Sequence, residues 1–138
     1  MRKLNEIVTD LKNLLTPDFQ TVRISALQNS DQLLKEIQAI NPDRLPAVII
    51  VFDGLEYDGD AFTNTAQFTL ILIDQFKAGS DDRALSVQNA AGTLMQLFPA
   101  DGREINGVWY YPDDCVTASP DSHVTAVAIG ISAKQGSI

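Results

Sequence analysis

The sequence has few of the residues that carry covalent chemistry. Its one cysteine, Cys115, excludes an intramolecular disulfide, and its one histidine, His123, leaves a hydrolytic triad a single candidate base. We expect Cys115 to be a small, half-buried strand residue and His123 to be exposed at the start of a strand. The sequence has no phosphate-binding loop, dinucleotide fingerprint or CxxC pair. It therefore predicts a protein that is not an enzyme and that carries no cofactor.

Basic residues and long apolar runs are also scarce. Ten Lys and Arg residues stand against eighteen Asp and Glu residues, which gives a net charge of −8. The cations are scattered singly, whereas tight phosphate binding needs them clustered. The longest apolar run, Pro46 to Phe52, is far shorter than the roughly 20 residues of a membrane span, and the first residues lack an apolar signal core. We expect no specific nucleic-acid binding, no membrane contact and a cytoplasmic location after synthesis.

The rest of the composition is that of one globular domain. The chain has 138 residues, of which 45% are hydrophobic and 20% charged, and a chain of this length can bury a substantial core. We place the domain at residues 1–133 and expect residues 134–138 to form a flexible tail.

Helical periodicity occurs in three segments. Apolar residues recur at steps of three and four over residues 3–15 and over residues 81–98. The first of these helices is expected to end before Pro17, because proline moves the preceding residue, Thr16, out of the helical region. A shorter helix is predicted from Ser30 to Ile40. The predicted buried face of the 81–98 helix comprises Ala84, Val87, Ala91, Leu94, Met95 and Phe98.

Strand patterns occupy most of the remaining chain. The 46–52 segment is continuously apolar, which predicts an interior strand covered on both faces, whereas the 22–26 segment alternates and is placed at an edge. Asp74 is expected to reach solvent near a strand end. The fold class is therefore predicted as α+β: a mostly antiparallel sheet with two main helices on one face. The predicted strands are residues 22–26, 46–52, 65–76, 103–105, 108–111, 115–119 and 123–133.

A group of carboxylates between two strands is the one ligand-like feature. Gathered carboxylate oxygens are what calcium requires, so the group is a weak candidate for a cation-binding loop. Aligned with a calcium-binding helix–loop–helix, however, the first ligand position falls on Gly54 and the bidentate glutamate position on Thr65. A solvated loop is therefore favoured over a cation site. The residues concerned are Asp53, Glu56, Asp58 and Asp60.

An aromatic run, Trp109, Tyr110 and Tyr111, is the candidate interface. Consecutive strand residues point to opposite faces, so at least one of the rings is expected to lie away from the main core. Exposed aromatic residues are enriched in subunit interfaces. A partly buried hairpin is the alternative interpretation.

Several stretches, taken together in this order, resemble a family of phage tail proteins. They are the proline-led strand Leu45–Gly54, the strand Gln67–Asp74, the 81–98 helix and a closing strand that contains Ile129-Gly130-Ile131. The chain resembles the Mu-like prophage minor tail proteins, which look like tail terminators. The resemblance covers nearly the whole chain.

That resemblance implies a structural role without catalytic residues. It implies a small α+β subunit that assembles into a homo-oligomeric ring, expected to be sixfold, at the head-proximal end of the tail tube. The implied partners are other copies of the chain, the tail tube protein and the head–tail connector protein. The implied location is the host cytoplasm during assembly and then the virion tail.

Three alternatives remain at this stage. The first alternative is another virion component, such as a head–tail connector or a baseplate part. A small acidic ligand-binding or regulatory domain that uses the Asp53 to Asp60 loop is the second. An acid/base enzyme that uses His123 or Asp74 is the third.

Overall fold

The architecture is given by a computed structural model, which describes residues 2–25, 35, 39–40, 44–57, 63–75, 81–118 and 124–136. It confirms the predicted fold class, an α+β domain with a mostly antiparallel sheet and two main helices. The elements are α1 (Leu4–Leu15), β1 (Thr21–Ser25), β2 (Ala47–Tyr57), β3 (Thr63–Gln75), α2 (Asp81–Leu97), β4 (Arg103–Ile105), β5 (Val108–Ala118) and β6 (Val124–Gly136).

The described strands form one sheet in the order β1-β2-β3-β6-β5-β4. β1 pairs parallel with β2, and every other described pairing is antiparallel. The predicted edge position of β1 is confirmed. β2 lies inside the sheet and, as its apolar run predicts, has buried residues on both faces. β4 and β5 meet at a turn formed by Asn106 and Gly107, where both residues have positive φ, as a type I′ hairpin turn requires.

One face of the sheet, the helix face, carries the main core. β3 alternates as predicted, and its even-numbered residues Phe68, Leu70 and Leu72 pack on this face. The two helices cover them with apolar side chains at steps of three and four, which is the period that places residues on one side of a helix. These helix residues are Ile7, Leu11 and Leu15 of α1, and Ala90 and Leu94 of α2, with Phe98 just beyond α2.

The opposite face, the far face, has a smaller apolar cluster. It contains Ile49 and Val51 of β2 and Ile71 and Ile73 of β3, and Ile40 and Leu45 pack with it. The predicted helix from Ser30 to Ile40 lies almost wholly outside the described residues, as does His123.

Two strands continue past the ends that the sequence predicts for them, residue 52 and residue 111. β2 runs through Asp53 and Gly54 to Tyr57, and β5 runs through Pro112 and Asp113 to Ala118. Each strand has a β-bulge at that point, where its register against the neighbouring strand shifts. A bulge admits an extra residue without ending a strand, so Asp, Gly and Pro here mark a kink. The predicted strand ends at residues 52 and 111 are therefore wrong.

The end of the chain also differs from the prediction. β6 continues past Ala133, the predicted end of the domain, to Gly136, and Gln135 is buried. The strand persists because β3 continues beside it, with Asn64 and Thr65 opposite Gln135 and Lys134. The expectation of a flexible tail is therefore wrong for residues 134–136.

Four local predictions are wrong. Met95 is 68% exposed because it lies about 100° round α2 from the buried Leu94. Asp74 is buried, and β6 pairs beside it, with Thr125 opposite Asp74. Cys115 is exposed at the sheet edge, and Thr16 keeps helical backbone angles, its N–H donating to the Lys12 carbonyl.

Candidate interaction surface

Among the described strands, none covers the outer edge of β5 over most of its length. β4 is only three residues long and pairs with Val108–Tyr110, so no described strand lies beside residues 111–118. Backbone N–H and C=O groups at such an edge are available to another strand. Pro112, Asp113 and Asp114 lie along it, and proline and charge at an edge discourage indiscriminate pairing.

An apolar groove borders this edge on the helix face. It lies between the C-terminal half of α2 and β5, and its volume is about 280 Å³. The exposed side chain of Met95 stands at the groove, and Cys115 lines it from the edge strand. Six of the residues that line it are Leu94, Met95, Phe98, Pro112, Cys115 and Ile129.

On the far face, the same edge carries an acidic group that is held in place. The Ser132 hydroxyl donates to Asp113 Oδ2 over 2.8 Å and lies 2.9 Å from Gln67 Oε1. Gly130 makes room for this arrangement, because a Cβ built there would lie 3.2 Å from the Asp113 Cβ. Asp113 therefore has a defined position on the far face, and Asp114 is exposed beside it.

The predicted aromatic interface is divided between the two faces. Trp109 is 46% exposed and stacks on Tyr111, with ring centroids 6.4 Å apart. Tyr110 is fully buried on the helix face, 6.5 Å from the ring of Phe98. Because alternate strand residues point to opposite faces, Trp109 and Tyr111 form a pair on the far face, with Trp109 exposed and Tyr111 half-buried, and Tyr110 belongs to the core.

The weak candidate for a cation-binding loop lies on a strand where the structure describes it. Asp53 and Glu56 lie on β2, and Asp53 accepts a hydrogen bond of 2.5 Å from the Thr69 hydroxyl. Asp58 and Asp60 lie outside the described residues. Within the described ranges, no three His, Cys, Asp or Glu side chains are grouped so that they would hold a metal ion.

The opposite edge of the sheet is β1, and its two faces differ in character. Ile24 is 50% exposed and pairs in register with Ile50, a helix-face residue. Arg23 is exposed and pairs in register with Ile49, a far-face residue. No described strand covers the outer side of β1. The sequence pattern predicted an edge strand here but did not indicate Arg23 and Ile24 as candidate site residues.

A polar clasp of Arg2, Asp10, Asn106 and Gln135 holds the start of the chain against the sheet. The Arg2 guanidinium donates to both Asp10 oxygens, at 2.7 and 2.8 Å, and to Glu6 over 3.1 Å. The Asn106 amide also donates to Asp10, and Gln135 exchanges two hydrogen bonds with the Arg2 backbone. Hydrogen bonding to the Asp10 carboxylate raises the pKa of Arg2. The clasp joins α1, the β4–β5 turn and β6.

The Tyr110 hydroxyl lies close to this clasp without joining it. It is buried and has no hydrogen-bond partner among the described residues. Burial raises the pKa of Tyr110, the Asp10 charge raises it further, and the Arg2 charge lowers it. The phenol is therefore neutral at physiological pH.

The described part of the chain has no helix that is both long and apolar enough to span a membrane.

The described residues together define an α+β domain with one six-stranded mixed sheet and, beside an apolar groove, an edge that no other described strand covers. Comparison with models of known protein families gives no match for the chain, and comparison with curated proteins gives none either.

Proposed function

We propose that the protein is a structural assembly subunit that forms a closed ring and terminates a phage tail tube. The observation that carries the proposal is the β5 edge, which no other described strand covers from Tyr111 to Ala118 and which borders an apolar groove. Strand addition at such an edge is an established way for proteins to associate, because the backbone supplies affinity and flanking pockets supply specificity.

The sequence resemblance supports the phage tail as the setting. A tail terminator acts sterically. One rim of its ring binds the last tube subunits, and the other rim blocks the addition of further tube subunits and binds the head–tail connector. A net charge of −8 is compatible with a ring that DNA passes without adhering, since like charges repel. No reaction is assigned to any side chain.

Two measurements test the proposal. Sedimentation velocity and negative-stain microscopy of the purified chain should show discrete rings at micromolar concentrations. Phage or prophage particles that lack the protein should carry tail tubes of irregular, excessive length. A chain that stays monomeric at millimolar concentration would contradict the ring.

Particles that lack the protein also separate the proposal from the nearest alternative. Tubes of normal length that fail to join heads would indicate a head–tail connector role. Tubes that fail to start would indicate a baseplate role. Either result would refute tail termination while leaving the protein a virion component.

A further inference from the structure

We infer that the copies of the ring join through their sheets: the outer edge of β1 in one copy pairs with the outer edge of β5 in the next. The inference rests on the proposed self-assembly and names the two surfaces that perform it. The occupant of the β5 edge and its groove is therefore a second copy of this chain.

Strand direction allows this pairing without inverting either copy. β1 runs parallel to β2, and the successive antiparallel pairings from β2 through β3 and β6 leave β5 running opposite to β1. Two copies placed side by side in the same orientation thus bring β1 antiparallel to β5. β1 has five residues, and β5 offers Cys115–Ala118 beyond its bulge.

The helix faces of the two copies supply an apolar contact. Ile24 projects from the helix face of β1, and half of its surface is exposed. The groove beside β5 lies on the same face, with Met95 and Cys115 at its opening. In the side-by-side orientation the helix faces of neighbouring copies are continuous, so Ile24 of one copy lies at the groove of the next. The contact then buries the exposed side chain of Ile24 and the apolar surface of the groove, which favours association.

The far faces supply a charge contact. Arg23 is exposed on the far face of β1 and forms no ion pair with a described residue. Asp113 is held on the far face of β5 by Ser132, with Asp114 exposed next to it. The orientation that places Ile24 at the groove also places Arg23 beside these carboxylates. Two independent features, one on each face, therefore select the same arrangement.

Charge disfavours the two symmetric pairings. A β5–β5 contact would place the Asp113 and Asp114 carboxylates of two copies together, and a β1–β1 contact would place two Arg23 side chains together. Like charges set against each other disfavour such partners. The β1–β5 contact is heterologous, and a heterologous contact closes into a ring when its rotation permits.

The single native cysteine provides a direct test. Ile24→Cys places a second thiol where the inferred contact brings it to Cys115 of the next copy. Mild oxidation should then give a ladder of covalent oligomers on a non-reducing gel, ending at the full ring. The double variant Ile24→Cys/Cys115→Ser should give no ladder, and neither should Tyr57→Cys, whose exposed side chain lies at the far end of β2.

Charge reversal provides a second test that does not depend on cross-linking. Arg23→Glu alone and Asp113→Arg alone should each weaken association about tenfold or more, because every contact in the ring then joins like charges. Mixing the two variants should restore assembly, since each contact again joins opposite charges. Asp114→Arg repeats the test with the Ser132 hydrogen bond intact.

The outcomes separate this inference from the proposed function. A wild-type chain that never associates would overturn both. Rings of the Ile24→Cys variant that give no covalent ladder, or charge variants whose mixing does not restore rings, would overturn the β1–β5 contact alone. A ladder together with restoration on mixing would support it.

Discussion

The buried hydroxyl of Tyr110 is expected to affect the stability of the domain at alkaline pH. Its ring is fully enclosed and contacts Phe98, yet its hydroxyl has no partner among the described residues. A buried polar group without a partner costs free energy that an apolar side chain of the same shape does not. We expect Tyr110→Phe to be neutral or to stabilise the fold by up to about 1 kcal/mol at pH 7.

The same variant should change the pH dependence of stability. The pKa of Tyr110 is 10.0 in the unfolded reference and is raised in the fold. Its contribution is therefore fully present below pH 10 and is lost as pH rises toward the folded-state pKa, because the unfolded chain releases the proton first. Wild type should lose about 1.4 kcal/mol relative to Tyr110→Phe by pH 11. Urea unfolding of both proteins from pH 8 to 11 measures this, and parallel curves would contradict it.

Asp10 is the second residue on which we base a prediction, because three chain segments depend on its carboxylate. It accepts hydrogen bonds from Arg2 and Asn106 while lying almost buried. Asp10→Ala should destabilise the fold by about 1 to 3 kcal/mol, since donors that faced a carboxylate lose their acceptor. Asp18→Ala, at an exposed carboxylate beyond the end of α1, is the control and should change the unfolding free energy by less than about 0.5 kcal/mol. Equal effects would contradict the clasp.

At the scale of the element, periodicity predicts strands and helices well and predicts their ends less well. The alternation in β3 assigned Phe68 and Ile71 to opposite faces, and both assignments are confirmed. The Asp, Gly and Pro residues near positions 53 and 113 predict breaks between strands, although each segment is a bulge within one strand. Local composition cannot separate the two cases, because a bulge and a turn use the same residues and differ in what pairs beside them.

Gly130 and Gly92 provide a matched pair of glycine substitutions. A Cβ at Gly130 would lie 3.2 Å from the Asp113 Cβ, whereas a Cβ at Gly92 in α2 would meet nothing within 4 Å. Gly130→Ala should therefore destabilise by about 1 to 2 kcal/mol, because the bulge must shift. Gly92→Ala should stabilise by about 0.5 to 1 kcal/mol, because alanine is the better helix former.

Thermal or urea unfolding of the two variants checks the contrast. Opposite signs are expected, and the same sign for both would contradict the described packing. Gly130→Ala should also weaken association, since it displaces Asp113, whereas Gly92→Ala should not.

At the scale of the molecule, the interaction surface depends on the order of the strands in the sheet, which cannot be predicted from local sequence patterns. Arg23 and Asp113 belong to opposite edges of one sheet only because the strand order places β1 and β5 near its two ends. The aromatic run was the sequence's candidate interface, and the strand pattern correctly divided it between two faces. The groove was not predicted because it forms between α2 and β5, which meet only in the folded domain.

The balance between overall and local charge gives the last prediction. Each copy carries a net charge of −8, so neighbouring copies repel over long range, while Arg23 and Asp113 attract only at contact. Raising salt from about 10 mM to about 150 mM shortens the screening length from about 30 Å to about 8 Å, which removes the long-range repulsion first. A close and partly covered ion pair is screened less.

Assembly of the wild type should therefore strengthen between these two salt concentrations, as measured by sedimentation equilibrium. Arg23→Glu should also gain from salt, and by a larger factor, because its contacts join like charges that salt screens as well. If association of the wild type instead weakens steadily as the salt concentration rises, attraction between opposite charges dominates the whole interface. Repulsion between copies would then play no part in setting the concentration at which rings form.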